Sequence, residues 1–124
     1  MRFFIIDDSK TMRNIEKSVL AGLGYTEVGE AADGKEGLEK VEVFSPDVIL
    51  LDWNMPVMNG LEFVKAFRVK DKLTPVIMVT TESEKTNVLE AIKAGVNNYV
   101  VKPFTPESLS EKINQTISRA KGAA

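Results

Sequence analysis

The chain of 124 residues contains neither cysteine nor histidine. Without cysteine there is no disulfide, no thiol nucleophile and no zinc–thiolate centre. Without histidine there are no imidazole metal ligands, no histidine-based triad and not the commonest general base. No apolar run approaches the roughly 20 residues of a membrane span. The opening "MRFFIIDD" is too short in apolar residues for a secretory signal and has no cleavage pattern. No basic run or stripe stands out, and 16 Lys plus Arg against 18 Asp plus Glu leave a net charge of −2, which argues against a nucleic-acid partner. The expectation is a cytoplasmic protein with no membrane partner, whose chemistry falls to Asp, Glu, Lys, Ser, Thr or the backbone. Hydrophobic residues make up 44%, enough for the core of one domain, expected to span 1–124.

Short apolar runs alternate with helical patterns along the whole chain. The runs are "RFFIID" (2–7), "TEVGEAA" (26–32), "DVILLD" (47–52), "PVIMVT" (75–80) and "NNYVV" (97–101). Between them, stripes at steps of three and four predict helices: Met12, Ile15, Val19 and Leu23; Leu38, Val41 and Phe44; Leu61, Val64 and Phe67; Val88, Leu89 and Ile92. A last helix over 105–121 has Thr105 as N-cap, Pro106 at the first position and Glu107 complementing the dipole. Gly95 suits a helix C-terminus, and Gly60 a left-handed turn. Five β-α units in strict alternation predict an α/β fold, a parallel sheet with helices on both faces. The first, third and fourth runs are apolar throughout and belong at the centre; the second and fifth are more polar and belong at the edges. The order 2-1-3-4-5 with right-handed crossovers satisfies this and is the known flavodoxin-like order.

In such a sheet ligands bind beyond the carboxyl ends of the strands, where the winding reverses, here between the first and third. Asp7, Asp8 and Asp52 stand at those ends. Three converging carboxylates repel one another unless a cation enters. With oxygen ligands only, the hard ion Mg²⁺ fits, because it takes few carboxylates and leaves room for a phosphate oxygen. Thr80 ends the fourth strand and Lys102 follows the fifth, offering a hydroxyl and a compact cation to the same rim. A nucleophilic acid, a metal site, a hydroxyl and a lysine together describe phosphoryl transfer to a carboxylate. Singly each has an ordinary reading: Asp8 or Ser9 as a helix cap, Asp52 as a turn former, Thr80 as a β-branched strand residue, Lys102 as a surface lysine, Tyr99 as an edge-strand aromatic. Four strand ends carrying complementary groups favour the joint reading.

The motifs "DD" after the first strand, "DWNMPVMNG" after the third, "VTTES" after the fourth and "YVVKPF" around the fifth resemble the receiver domains of two-component response regulators, most closely the stand-alone chemotaxis receivers. The resemblance covers essentially the whole chain. It implies that Asp52 is the phosphoacceptor, charged by a separate histidine kinase. It implies that Asp7 and Asp8, with Asp52 and the backbone carbonyl of Asn54, hold Mg²⁺, and that Lys102 contacts the phosphoryl group and precedes a cis bond to Pro103. Thr80 and Tyr99 would form the switch, and Tyr99 and Lys112 part of the face read by a downstream target, such as a flagellar motor switch. Asn54, Thr81 and Glu82 would tune the lifetime of the acyl phosphate and the response to a phosphatase. A monomer is expected, with self-catalysed acceptance and loss of the phosphoryl group and no turnover of a separate substrate.

Other readings need features that differ. Flavin binding requires a loop rich in Ser, Thr and Gly after the first strand, where "DDSKTM" stands. An aspartyl phosphatase wants a second acid two residues past its nucleophile, where Asn54 stands. A stand-alone receiver in a phosphorelay outside chemotaxis, or a docking module indifferent to phosphorylation, would carry the same fold.

Overall fold

The computed structural model describes residues 1–81 and 87–122. Five strands, β1 (Arg2–Ile6), β2 (Glu27–Ala31), β3 (Val48–Asp52), β4 (Val76–Thr81) and β5 (Asn98–Lys102), alternate with α1 (Lys10–Gly22), α2 (Gly34–Phe44), α3 (Gly60–Lys70), α4 (Val88–Ala94) and α5 (Pro106–Gly122). All pairings are parallel, in the order β2-β1-β3-β4-β5. Central β3 is buried along its whole length, whereas edge strand β2 is buried only at its last residue. This follows from composition: a strand covered on both faces cannot keep a polar side chain without a partner.

Strand alternation divides the core into two layers. Phe4, Ile6, Ile49, Leu51 and Met78 face α2, α3 and α4, with Phe63, Val64 and Ala91 opposite them. Phe3, Ile5, Leu50, Val79 and Val100 face α1 and α5, with Leu20, Leu109 and Ile113 opposite. Caps fix where the helices start. Ser9 accepts from the Met12 amide (3.1 Å) at α1, Asp33 from Glu36 (2.8 Å) at α2, and Asn59 forms a reciprocal box with Glu62 at α3. At α5 the Thr105 hydroxyl accepts from the Ser108 amide, 3.0 Å.

Some expectations fail locally. In α1 Ile15 points to solvent, and the inward stripe runs instead through Glu16, Val19 and Leu20. In α4 Leu89 and Ile92 are exposed, and the small Ala91 packs inward against α3's side of the core. Steps of three and four recur on more than one face of a short helix, so periodicity alone cannot choose the buried one. Gly60 does not supply a left-handed turn; it opens α3. A Cβ there would lie 2.6 Å from the Asp52 carbonyl oxygen, so the constraint is close approach. Positive φ occurs at Gly24 and Gly95, where glycine removes the Cβ penalty, and also at Ser45 and Val57. Lys102 and Thr81 are the last residues of their strands rather than the first beyond them.

Candidate acceptor and metal site

The carboxyl ends of β1, β3 and β5 carry the site. Asp7 and Asp8 follow β1, Asp52 ends β3 and Lys102 ends β5. By alternation Asp7 continues the series Phe3, Ile5; Asp52 continues Val48, Leu50; Lys102 continues Val100. All three therefore lean toward the α1 and α5 side. Thr80 continues Val76, Met78, and Tyr99 packs against the same layer, so both belong to the α3 and α4 side.

One carboxylate oxygen from each of Asp7, Asp8 and Asp52 lies within 4.8 Å of the other two. Asp7 is 1% and Asp52 6% exposed, while Asp8 faces solvent. Neither acid caps α1, because Ser9 does. Asp7 Oδ1 accepts from the Ser9 amide at 2.8 Å. Asp7 Oδ2 is buried without a hydrogen-bond partner among the described residues, although the Lys102 ammonium stands 3.5 Å away. Lys102 Nζ donates to Asp52 Oδ1 at 3.0 Å. Arg13 was not expected as a site residue. It donates to the Asp7 carbonyl and to Glu30 (2.9 Å), tying the acidic turn to β2.

Burial pushes the Asp52 carboxyl up to about 6, and the charge of Asp7 adds to the rise; Lys102 only partly offsets them. Burial likewise raises Asp7, against the Ser9 amide and Lys102. For Lys102, burial acts to lower the ammonium's value, but Asp52, Asp7 and Glu16 outweigh it and the net shift is upward. A single lysine thus falls short of neutralising the cluster. An Asp7 oxygen with no hydrogen-bond partner among the described residues, and two acids held above their ordinary range, fit a site that takes an additional hard cation. The donor set, oxygen only, fits Mg²⁺.

The remaining residues distribute unevenly. Thr80 is buried, and its hydroxyl approaches the Thr81 carbonyl (3.4 Å) rather than Asp52. Thr81 pairs in register with Lys102 across β4 and β5. Tyr99 is half-buried, with the Lys112 ammonium 5.0 Å from its ring centroid, so the two side chains expected on the partner face do meet. Asn54 is exposed in the loop after β3. Glu82 lies outside the described residues. The Lys102–Pro103 bond is cis. A separate cavity of about 450 Å³ between α2 and α3, lined by Leu38, Phe67 and Thr74 among others, opens near the amino ends of β3 and β4 and includes none of these groups.

Residues 3–114 match the family of response regulator receiver domains. Relatives named chemotaxis proteins are 50% identical in Helicobacter pylori (91% of this chain, 94% of the relative) and 49% identical in Campylobacter jejuni (98% and 96%). The solved structure of the Vibrio cholerae chemotaxis protein CheY4 superposes with a TM-score of 0.85 at 41% identity, covering 93% of this chain and 97% of that one. A CheY-like receiver domain from Methanospirillum hungatei reaches 0.90 at 31% identity, covering 99% and 98%.

Proposed function

Because the chain belongs to the response regulator receiver family, the phosphorylation-activated switches of two-component signalling, we propose that Asp52 is its phosphoacceptor, with Asp7, Asp8 and the Asn54 carbonyl completing a Mg²⁺ site. The observation that carries this is the convergence of three carboxylates on a buried Asp7 oxygen that has no hydrogen-bond partner among the described residues, with Lys102 already on Asp52. Bound there, Mg²⁺ supplies positive charge against the acids and the phosphoryl oxygens.

The chain's own residues do the rest. A phosphohistidine on a kinase presents its phosphorus in line with an Asp52 oxygen. The P–N bond breaks as the new O–P bond forms, and the imidazole leaves. Lys102 exchanges its hydrogen bond on Asp52 for one on the transferring group, countering charge where it accumulates. Thr80, whose hydroxyl makes a long contact with the Thr81 carbonyl in this state, turns to the new oxygens, and Tyr99 follows into the space released. The local charge thereby biases a two-state element, and the face around Tyr99 and Lys112 changes for its reader. Asn54, Thr81 and Glu82 set how long the mixed anhydride survives water or a phosphatase.

The relatives from Helicobacter pylori, Campylobacter jejuni and Pseudomonas aeruginosa bear the name of chemotaxis proteins, which supports a chemotaxis role here, with the flagellar motor switch as target. The chain would work as a single-domain cytoplasmic monomer. Among the described residues no helix is long and apolar enough to cross a membrane. The test is intact mass after treatment with Mg²⁺ and acetyl phosphate. One phosphoryl group should add to the wild type and none to Asp52→Ala; an unlabelled wild type, or a labelled variant, overturns the assignment.

A further inference from the structure

Asn98 on β5 and Thr116 on α5 interrupt the apolar layer between the sheet and that helix. Both are buried, at 8% and 3% exposure, in the layer that holds Val100, Ile113 and Ile117. An apolar pair would fill the space without desolvating an amide and a hydroxyl. The polar pair is satisfied instead. Thr116 Oγ1 donates to the Lys112 carbonyl at 2.8 Å, which uses its single hydrogen. Toward Asn98 it can therefore only accept, and Asn98 Nδ2 donates to it at 3.2 Å. The other end of the same side chain, Oδ1, accepts from the Tyr99 amide at 2.9 Å.

These bonds run from the backbone of Tyr99 to the backbone of Lys112, and the side chains of the same two residues meet again outside the layer. There the Lys112 ammonium stands 5.0 Å from the Tyr99 ring centroid, within reach of a cation–π contact. Successive strand residues point to opposite faces, so Asn98 faces α5 while Tyr99 packs toward the α4 side. β5 is an edge strand, and Lys112 reaches round its open edge to the ring. The apolar contacts of Ile113 and Ile117 are non-directional and tolerate a small slide of the helix. A hydrogen bond is directional and does not. A slip of one residue moves a helical side chain about 1.5 Å along the axis and turns it by about 100°, enough to take the ammonium off the ring.

We propose that Asn98 and Thr116 are positioning residues for the face around Tyr99: their buried hydrogen bonds seat α5 on β5 at the level that holds the Lys112 ammonium over the Tyr99 ring. The proposal rests on the reading of Tyr99 and Lys112 as part of the face a target meets. The pin lies on the opposite side of β5 from the ring, so a turn of Tyr99 inward leaves it intact. Lys112 then keeps its place while its aromatic cover departs, and the switch is presented as a fixed lysine uncovered rather than as a helix displaced.

The ring current of Tyr99 gives a readout that stability alone does not move. In NMR spectra of the full chain the Lys112 ε-methylene signal should lie upfield of its position in Tyr99→Leu. Thr116→Val, and Asn98→Leu combined with Thr116→Val, should lose most of that displacement; Thr116→Ser, which keeps the hydroxyl, should retain it. The double variant leaves neither member of the pair facing an orphaned polar partner. Its urea midpoint should therefore lie above that of Thr116→Val, although its Lys112 signal stays near that of Tyr99→Leu. A displacement of wild-type size in the double variant overturns the proposal, as does a wild type with none. So does an equal loss in Ile113→Val, which loosens the same layer without touching the pin and would make any softening of α5 sufficient. Acetyl phosphate labelling of the same samples keeps the two readings apart. An unlabelled wild type sinks the acceptor assignment while the Lys112 signal still decides the pin.

Discussion

The ammonium of Lys102 donates to Asp52 Oδ1 at 3.0 Å, although the two residues stand 50 positions apart in the chain. The same ammonium is 3.5 Å from Asp7 Oδ2. One cation thus holds two buried acids from different strands, and its place is the one a phosphoryl group or a metal would contest.

Removing that cation should therefore be costly and also revealing. Lys102→Met leaves Asp7 and Asp52 buried without it, a kind of change that costs about 3–5 kcal/mol when a buried pair is broken. The loss should be large at pH 8 and small at pH 5, where the carboxyls take up protons instead. Mg²⁺ should bind the variant more tightly than the wild type, since its competitor is gone. Urea unfolding at the two pH values, with and without Mg²⁺, reads all three effects; equal stability loss at both pH values would contradict the electrostatic origin.

Metal-free protein should be more stable in mild acid than in mild base. Asp7, Asp52 and Glu16 all have folded-state values above their unfolded ones. The folded state then holds protons that the unfolded chain has released, so their contribution is complete below the unfolded values and is lost as pH rises through about 6 for Asp52 and about 8 for Glu16. Glu30 and Asp71 are shifted down, so their contribution disappears only in stronger acid. The urea midpoint should accordingly be higher at pH 5.5 than at pH 8.5, and Glu16→Gln should flatten the upper half of the slope. A midpoint that rises with pH across this range would refute the assignment.

The far end of α4 is held by a different cation. Arg68 donates from Nε and Nη2 to the Gly95 carbonyl (3.1 and 2.8 Å) and from Nη2 to Asn97 Oδ1 (3.0 Å), which in turn accepts from the Val76 amide at 2.9 Å. Arg68→Ala removes the guanidinium donor from the Gly95 carbonyl and from Asn97, which keeps only the Val76 amide, and should cost about 1.5–3 kcal/mol, the range for hydrogen bonds involving a charged group. Gly95→Ala should be destabilising too, because its φ is +117° and a Cβ would meet Arg68 Nε at 2.8 Å. Amide exchange should quicken around residues 95–97 in both variants while β1 stays protected.

Replacing Asn59 by Ala removes the reciprocal cap at the start of α3 and should lower stability by about 1 kcal/mol. Acceptance of a phosphoryl group by Asp52 should survive, since Gly60 remains; thermal unfolding and acetyl phosphate labelling measure the two outcomes.

Much of this was legible in the residues themselves. Uninterrupted apolar runs marked β1, β3 and β4 as central, and the acids at the carboxyl ends of β1 and β3 pointed to one crevice, because parallel strands place equivalent positions on one rim. Glu16 was hidden by the choice of stripe. Met12 and Val19 are compatible with either Ile15 or Glu16 between them, and hydrophobicity favours the isoleucine, yet packing turns the glutamate inward. Leu89 and Ile92 misled in the same way, because a short helix beside a crowded sheet can bury an alanine and leave larger side chains outside. Arg13 and Arg68 gave no signal of their own, since a guanidinium that clasps a distant carbonyl reads locally like any surface arginine.

Gly60 carries a consequence for interpreting variants. Its amide donates to the Trp53 carbonyl at 2.8 Å, and the space a Cβ would need is taken by the backbone of Asp52. The location of Asp52, the proposed acceptor, is thus gauged from the first turn of a helix eight positions downstream. A lesion at 60, scored on paper as a helix-start change remote from the chemistry, would present in the tube as a damaged aspartate.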